Sequence, residues 1–340
     1  MKRDKIGDLL LTTSVLAHLR TALPGAELHL LANDYNAWIA RGHAAVDRLW
    51  VYPRVRDGGR LRPVAALSQL ALFWHLRSER FHWAIAMNGE ASPRAVRRTL
   101  VAGAARTVAF AEEDARYGRG LTDRLPEIAG GHELDRMGAL LRPLGVDAPA
   151  RWPEASYQPP PGDRSFVAQW LRGRALEPRA YIVLGLGARW AEKQPTAEQV
   201  VRWTEVWKSR WNLDTVLSWT PGARDDRRYP GDDAIVRPVL ARGVAHIHPF
   251  QGTIQQVAAL LHDARTTVVP DSGLMHVAAA SPGGVLGLFA KSGGHDDPSR
   301  WHPIGSRALW LQAPETIANL PDQVLLDAMA PLMQLAATSA

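Results

Sequence analysis

Residues Val268-Val-Pro-Asp-Ser-Gly-Leu-Met-His-Val-Ala-Ala-Ala280 decide the fold. The apolar run ends at Pro270, and a helical pattern starts near Ser272. The turn between them consists of Asp271, Ser272 and Gly273. A strand followed directly by a helix is typical of a parallel α/β sheet. We therefore place this turn at the carboxyl end of a strand in an α/β domain.

The residues of this turn suit an anion. Small side chains let a ligand approach the N–H groups at the start of the helix, and these groups and the helix dipole favour a pyrophosphate. His276 lies one turn further along, within reach of the same phosphate. The alternative is an ordinary helix cap, in which Asp271 or Ser272 caps the helix and His276 is half-buried.

Apolar strands alternate with helical stretches on both sides of this turn, which indicates parallel βαβ units. The predicted strands are 27–32, 48–52, 82–87, 106–110, 181–184, 215–219, 266–269, 285–289 and 308–311. The predicted helices are 9–22, 64–77, 93–101, 166–173, 197–211, 254–262, 274–280 and 323–335. The pattern predicts two doubly wound α/β domains.

A proline-rich stretch over residues 148–162 reads as a linker between these domains. We expect an N-terminal Rossmann-like domain over 1–155, a C-terminal one over 165–315, and a C-terminal helix within 316–340 that packs back towards the N-terminal domain. Ligands of such sheets bind outside the carboxyl ends of the strands, so two domains facing across a cleft would hold a substrate between them.

Composition is that of a folded protein. The 340 residues are 46% hydrophobic and 22% charged, with a net charge of +6, which excludes a disordered chain, a collagen and a coiled coil. Cysteine is absent, so disulfides, thiolate zinc sites and Cys nucleophiles are excluded. A cysteine-free chain fits a reducing compartment, and we expect a cytoplasmic location.

The segment Asp4-Lys-Ile-Gly-Asp-Leu-Leu-Leu-Thr-Thr13 carries a second candidate. Asp8 stands where the first helix begins, a position that keeps a carboxylate ionised and able to accept a proton from a hydroxyl. The alternative is again a capping role for Asp8.

Two loops that follow predicted strands carry further candidates. Gly185-Leu-Gly-Ala-Arg-Trp-Ala-Glu-Lys-Gln-Pro195 offers Arg189 and Lys193 to a phosphate, although it matches neither the dinucleotide fingerprint nor the P-loop. Asp225 and Asp226, in the next loop, offer acceptors to sugar hydroxyls. Solvated loop residues are the alternative in both cases.

Several motifs occur in an order that resembles the family 9 glycosyltransferases, the ADP-heptose:lipopolysaccharide heptosyltransferases. The resemblance covers nearly the whole chain, and its most specific motif is the turn described first. The matching segments are Asp4-Lys-Ile-Gly-Asp-Leu-Leu-Leu-Thr-Thr13, residues 81–110 with Asn88-Gly89, Gly131-His-Glu-Leu-Asp-Arg136, Asp271-Ser-Gly-Leu-Met-His276 and Arg300-Trp-His-Pro303.

The resemblance implies a GT-B fold and an inverting, metal-independent sugar transfer that needs no cofactor beyond a nucleotide-diphospho-sugar. It implies that Asp8 is the general base for the acceptor hydroxyl. The residues implied in donor binding by the C-terminal domain are Lys193, Asp225, Asp226, Asp271, Ser272, Gly273, Leu274 and His276. Those expected at the acceptor in the N-terminal domain are Lys5, Thr12, Arg94 and Arg97.

Two segments depart from the family pattern. Lys193-Gln194-Pro195 lacks the Trp that the family usually has before this proline, so the donor loop is expected to differ. Residues 290–297 are longer and richer in glycine, which leaves the preferred nucleotide open.

Three functions are compatible with these residues. The first is transfer of a sugar, with ADP-heptose as donor and a lipopolysaccharide core as acceptor. The second is a nucleotide-sugar 2-epimerase of the same architecture, and the third is a non-catalytic sugar-nucleotide-binding protein. The charge of +6 fits a protein that works peripherally on the anionic cytoplasmic face of the inner membrane, and we expect it to be a monomer. Nucleic-acid binding is not expected, because no helix-turn-helix, zinc or aromatic-platform signature occurs.

The start of the chain lacks the residues of a central strand. The first strand of a doubly wound domain has neighbours on both sides and is normally a continuous apolar run. Only Met1, Lys2 and Arg3 precede the segment that carries Asp8. We therefore expect that Met1 is not the natural first residue and that about five to seven apolar residues precede it.

Overall fold

The computed structural model describes residues 5–57, 60–226, 230–291 and 297–334. The chain divides into two compact units, Met1–Gln158 and Pro159–Ala340. The boundary between them lies within the proline-rich stretch that the sequence marks as a linker.

The C-terminal unit contains one parallel sheet of six strands in the order β10-β9-β8-β11-β12-β13. The strands are β8 (Tyr181–Gly185), β9 (Asp214–Ser218), β10 (Ile247–Phe250), β11 (Thr266–Pro270), β12 (Val285–Phe289) and β13 (Ala308–Gln312). Its helices are α5 (Pro161–Arg172), α6 (Ala197–Trp211), α7 (Asp233–Ala241), α8 (Ile254–Asp263), α9 (Gly273–Ala279), α10 (Pro298–Trp301) and α11 (Asp322–Gln334). Every residue of β8, β11 and β12 is buried, as expected where both faces of a parallel sheet are covered.

The strand order reverses at the middle of this sheet. From β8 the chain proceeds outward through β9 and β10, whereas from β11 it proceeds the other way through β12 and β13. The connections after β8 and β11 therefore leave the sheet in opposite directions. The carboxyl ends of these two neighbouring strands border a crevice, which is where ligands bind in doubly wound folds.

The core of the C-terminal unit explains where α11 packs. Trp203 and Trp207 of α6 are fully buried and belong to the same hydrophobic cluster as Leu325 and Met329 of α11. The apolar face of α11 is therefore buried in the C-terminal core, and the expectation that the segment 316–340 packs back towards the N-terminal domain stays a prediction. Residues 335–340 lie outside the described residues.

The strands of the N-terminal unit form two parallel sheets and a short antiparallel pair. These are β1-β2, β5-β6-β7 and the pair β3-β4. The strands are β1 (His29–Asn33), β2 (Arg48–Tyr52), β3 (Arg56–Asp57), β4 (Arg60–Leu61), β5 (Trp83–Ile85), β6 (Arg106–Phe110) and β7 (Asp123–Leu125). The helices are α1 (Ile6–Ala22), α2 (Pro63–Ser78), α3 (Pro93–Val101) and α4 (Glu133–Ala139).

A cavity of about 480 Å³ lies between the two parallel sheets of this unit. Its walls include Leu30 of β1, Ala84 of β5, and Leu16 and Leu19 of α1. Among the described residues no strand joins β1 to β5. The cavity therefore occupies the position of a central parallel strand. The expectation of a missing strand concerns in part Met1 to Asp4, and these residues lie outside the described residues.

Helix α1 starts at the carboxyl end of this slot. The Thr12 hydroxyl lies 3.6 Å from the Met137 sulfur, so α1 and α4 pack side by side. Four residues before Met137, the Glu133 carboxylate accepts a 3.0 Å hydrogen bond from the N–H of Gly89, just beyond β5. A strand parallel to β5 in the slot would thus end close to Lys5, where α1 begins.

Across the described residues, no helix is long and apolar enough to cross a bilayer.

We predict that a strand supplied to this slot stabilises the N-terminal unit. The chain would be extended ahead of Met1 by about six Val, Ile and Leu residues, roughly the length of an average strand. Burial of the extension and pairing with β1 and β5 are expected to raise the melting temperature by several degrees. The matched control is an extension of equal length made of Ser, Gly and Asp. Equal melting temperatures for the two extended chains would show that the cavity does not accept a strand.

Candidate active site

A buried ion pair lies at the crevice of the C-terminal sheet. The Lys193 Nζ is 2.7 Å from Oδ2 of Asp271, and the two side chains are only 7% and 10% exposed. Lys193 comes from the connection after β8, and Asp271 directly follows β11. The pair therefore joins the two connections that diverge at the reversal of strand order. This brings together two residues that are 78 positions apart in the sequence.

The start of α9 presents hydrogen-bond donors to the same region. Ser272 precedes the helix with extended backbone and makes no side-chain hydrogen bond to it, so the ordinary cap is not formed by this residue. Its Oγ is buried and has no hydrogen-bond partner among the described residues. A buried hydroxyl without a partner is costly. Together with the adjacent N–H groups of α9, it is a donor for an incoming anion.

His276 lies one turn into α9 and is 6% exposed. Its ring packs edge-on against Trp301, with 6.4 Å between the ring centroids. The Arg300 guanidinium lies 4.8 Å from the centroid of the Trp301 ring. The Arg-Trp motif near the end of the chain therefore supports the histidine of the Asp271–His276 motif. Leu274 contributes through packing, because its side chain lies against Gly185 at the end of β8.

A second buried carboxylate, Asp232, holds the neighbouring loop. It is 1% exposed and accepts a 2.9 Å hydrogen bond from the N–H of Thr220 and another from the side-chain amide of Gln194. Burial raises the pKa of Asp232 to about 6, although the hydrogen bonds and the Arg224 guanidinium, 3.6 Å away, oppose this. Asp232 thus joins the connection after β8 to the one after β9.

Gln194 and Arg224 hold the loop that contains Lys193, which lacks the Trp that the family usually has before Pro195. Gln194 is buried and donates to Asp232. The Arg224 guanidinium donates to the carbonyls of Ala188 and Arg189, at 2.8 and 3.0 Å. Polar contacts between the two loops therefore order the segment that contains Lys193.

Asp225 and Asp226, which the sequence predicts at the donor, differ in environment from Asp232 in the same loop. Asp225 and Asp226 are exposed, whereas Asp232 is buried among polar groups of two loops. Their contact with a donor stays a prediction. One signal could have identified Asp232, because Asp232 and Asp233 stand directly before the apolar run 234–236, as residues at the start of a helix do.

In the N-terminal unit, Asp8 lies half-buried in the first turn of α1. Its Oδ2 accepts a 3.0 Å hydrogen bond from the N–H of Lys5. This contact is the capping role that the sequence offered as the alternative. It also fixes the carboxylate at the start of the helix.

The residues expected at the acceptor have different environments. Lys5, Arg94 and Arg97 are exposed. Thr12 is fully buried, and its hydroxyl donates a 2.8 Å hydrogen bond to the carbonyl of Asp8. Thr12 therefore supports the turn that carries Asp8 and presents no exposed atom to an acceptor.

The described residues contain no group of three His, Asp or Glu side chains placed to hold a metal ion. The C-terminal unit instead offers a buried ammonium, a histidine and a helix start at the reversal of a doubly wound sheet. Such a combination at the reversal of a doubly wound sheet is typical of α/β domains that bind nucleotide phosphates.

The family model of glycosyltransferase family 9 (heptosyltransferase) matches residues 69–331. This is more than half of the chain, which therefore belongs to that family and is a glycosyltransferase. Lipopolysaccharide heptosyltransferase 3 of Escherichia coli is 24% identical over 305 residues, which cover 87% of this chain and 83% of the relative.

Solved structures of the family share the fold. A family 9 glycosyltransferase from Veillonella parvula superposes with a TM-score of 0.78 at 17% identity, covering 98% of this chain and 96% of that one. The E. coli heptosyltransferase WaaC with ADP gives 0.70 at 19% identity, covering 98% and 100%. The chain therefore has the GT-B fold, as the resemblance implied.

Proposed function

We propose that this glycosyltransferase transfers heptose from ADP-heptose to a hydroxyl of a lipopolysaccharide core, with inversion and without a metal ion. The observation that carries the proposal is the buried Lys193–Asp271 pair beside the buried Ser272 hydroxyl in the crevice. The related heptosyltransferase from E. coli whose structure holds ADP supports the nucleotide, and the related lipopolysaccharide heptosyltransferase 3 supports the acceptor.

In this proposal the donor diphosphate binds at the start of α9. The Ser272 Oγ and the adjacent backbone N–H groups donate to its oxygens, and the helix dipole favours its charge. An ammonium has three N–H donors, so Lys193 bonds Asp271 and a phosphate oxygen at the same time. Asp271 then serves to orient Lys193, and His276 supplies a further donor from the same turn.

The transfer is a single displacement at the anomeric carbon. Asp8 takes the proton of the acceptor hydroxyl while the acceptor oxygen forms its bond to that carbon. The bond between the anomeric carbon and the diphosphate oxygen breaks, and the leaving diphosphate gathers negative charge. Lys193, His276 and the start of α9 stabilise this charge, which is the role a metal ion fulfils in other transferases. One displacement inverts the configuration.

The acceptor is proposed to be an anionic glycolipid on the N-terminal unit. Arg94 and Arg97 are exposed on α3, and Lys5 is exposed just before α1. Guanidinium groups match phosphate geometry with paired hydrogen bonds, so these side chains suit the phosphates of a lipopolysaccharide core. The proposed enzyme acts as a monomer in the cytoplasm.

We predict that ADP binding depends on Lys193 and His276. Calorimetry with ADP-, UDP- and GDP-sugars should show a preference for the ADP-sugar. Lys193→Ala and His276→Ala should each weaken ADP binding by about 1–3 kcal/mol, because a charge-assisted hydrogen bond to phosphate is lost. Lys193→Ala should also lower the melting temperature, since Asp271 keeps a buried charge without its ammonium.

The matched control for Lys193→Ala is Lys208→Ala. Lys208 forms a 2.9 Å ion pair with Asp214 at the start of β9, so this variant also breaks a Lys–Asp pair in the C-terminal unit. It should leave ADP affinity unchanged. Unchanged affinity in both Lys193→Ala and His276→Ala would place the diphosphate elsewhere, and a preference for UDP-N-acetylhexosamine would favour the epimerase instead.

We predict that Asp8→Asn retains donor affinity but lowers turnover by at least about a hundredfold, the usual contribution of a general base. The amide keeps the size of the side chain and cannot accept the proton. Asp163→Asn is the matched control, because Asp163 is also an aspartate in the first turn of a helix, α5. Turnover of Asp8→Asn near that of the control would remove Asp8 from the mechanism.

We also predict that transfer continues in EDTA. The cationic groups proposed to stabilise the leaving diphosphate belong to the protein, so chelation of divalent ions should leave the initial rate unchanged. The measurement compares rates with EDTA and with added Mn²⁺. A strict requirement for Mn²⁺ would contradict the metal-independent step.

A further inference from the structure

Helix α2 of the N-terminal unit is apolar on both faces. Its inner face packs through Leu72, Phe73 and Leu76 against the cluster that contains Trp50 and Tyr52. Only Ala65 and Leu76 of the helix are buried. Between Pro63 and Leu76 the helix carries no Asp, Glu, Lys or Arg. A surface helix normally places charged residues opposite the core, so α2 has the sequence of a helix that is covered on both sides.

The outer face of α2 forms a continuous apolar stripe. Val64, Leu67, Leu70 and Trp74 are 74%, 67%, 68% and 68% exposed. Their spacing of three to four residues places them on one side of the helix. Leu61, just before the helix, extends the stripe and is 63% exposed. Contiguous exposed apolar residues of this kind mark an interaction surface.

Arginines border both ends of this stripe. Arg60 and Arg62 precede the helix, and Arg77 and Arg80 follow its last apolar turn; all four are exposed. Two carboxylates lie near these ends, and other arginines pair with them at close range: Arg54 lies 2.8 Å from Asp34, and Arg48 lies 2.7 Å from Glu79. Arg62 is 4.0 Å from Asp34. The described side chains around the stripe therefore carry an excess of positive charge.

We propose that the outer face of α2 docks the protein on an anionic membrane surface. Apolar side chains of an interfacial helix enter the boundary between headgroups and acyl chains, and bordering arginines contact anionic lipids. Trp74 is of the residue type that favours this boundary. The charge around the stripe selects a bilayer with anionic lipids over a neutral one. The location also suits an acceptor that is itself a membrane glycolipid, which rests on the proposed function.

The test is cosedimentation of the full chain with vesicles of phosphatidylcholine containing about 30% phosphatidylglycerol, without donor or acceptor. The protein should bind these vesicles and bind pure phosphatidylcholine at least about tenfold more weakly. Leu67→Glu with Leu70→Glu should reduce binding by at least about tenfold, because two charges enter the apolar stripe. Arg60→Glu with Arg62→Glu should remove the preference for the anionic vesicles.

The matched control is Phe166→Glu with Val324→Glu, which adds the same charge at two apolar residues that are 41% and 43% exposed in the C-terminal unit. It should bind vesicles as the unchanged protein does. Equal binding by the Leu67/Leu70 variant would overturn the proposal. Sedimentation velocity gives a second test. If the unchanged protein is a dimer and the Leu67/Leu70 variant is a monomer, the stripe joins two copies and the proposal is also overturned. Transfer to a lipid-free acceptor fragment should persist in the variant, which separates this inference from the proposed activity.

Discussion

The ion pair between Lys193 and Asp271 is the interaction on which the candidate site depends. Two connections leave neighbouring strands in opposite directions, and this pair joins them at the crevice. Taking two charges out of water is costly, and the cost is recovered only if the partners meet in good geometry. Loss of either partner would leave the other as an unpaired buried charge, so each side chain is kept in place by its ion pair with the other. Ser272 and His276 are placed by the same turn, and their positions therefore depend on the pair.

A second polar contact extends this arrangement to the adjacent loop. Asp232 receives hydrogen bonds from Thr220 and Gln194, which belong to the connections after β9 and β8. Because burial raises the pKa of Asp232 to about 6, it is largely ionised at neutral pH and takes up a proton as the pH falls through 6. The carboxyl ends of three neighbouring strands, β9, β8 and β11, are thus linked by buried polar groups, each of which needs its partner.

Local sequence signals, such as capping residues and apolar runs, predicted most of the helices and strands. Contacts between segments distant in sequence could not be predicted. Residues 93–101 and 197–211 form helices with the predicted bounds, since proline or a capping threonine marks where each begins. The strand β10 was missed because it contains His248 and Pro249, and α7 was missed because Pro238 lies inside it. The motif of Asp271 and His276 was found from its spacing. Its pairing with Lys193, and the burial of Asp232, depend on contacts between loops distant in sequence.

In the proposed mechanism, the crevice beside Lys193 and Asp271 holds the diphosphate of the sugar donor. The most direct measurement is a crystal structure of the full chain with an ADP-sugar. We expect diphosphate oxygens within hydrogen-bond distance of the Ser272 Oγ and the Lys193 Nζ, with Asp271 still bonded to Lys193. A diphosphate bound away from the start of α9, with the Ser272 hydroxyl untouched, would contradict it.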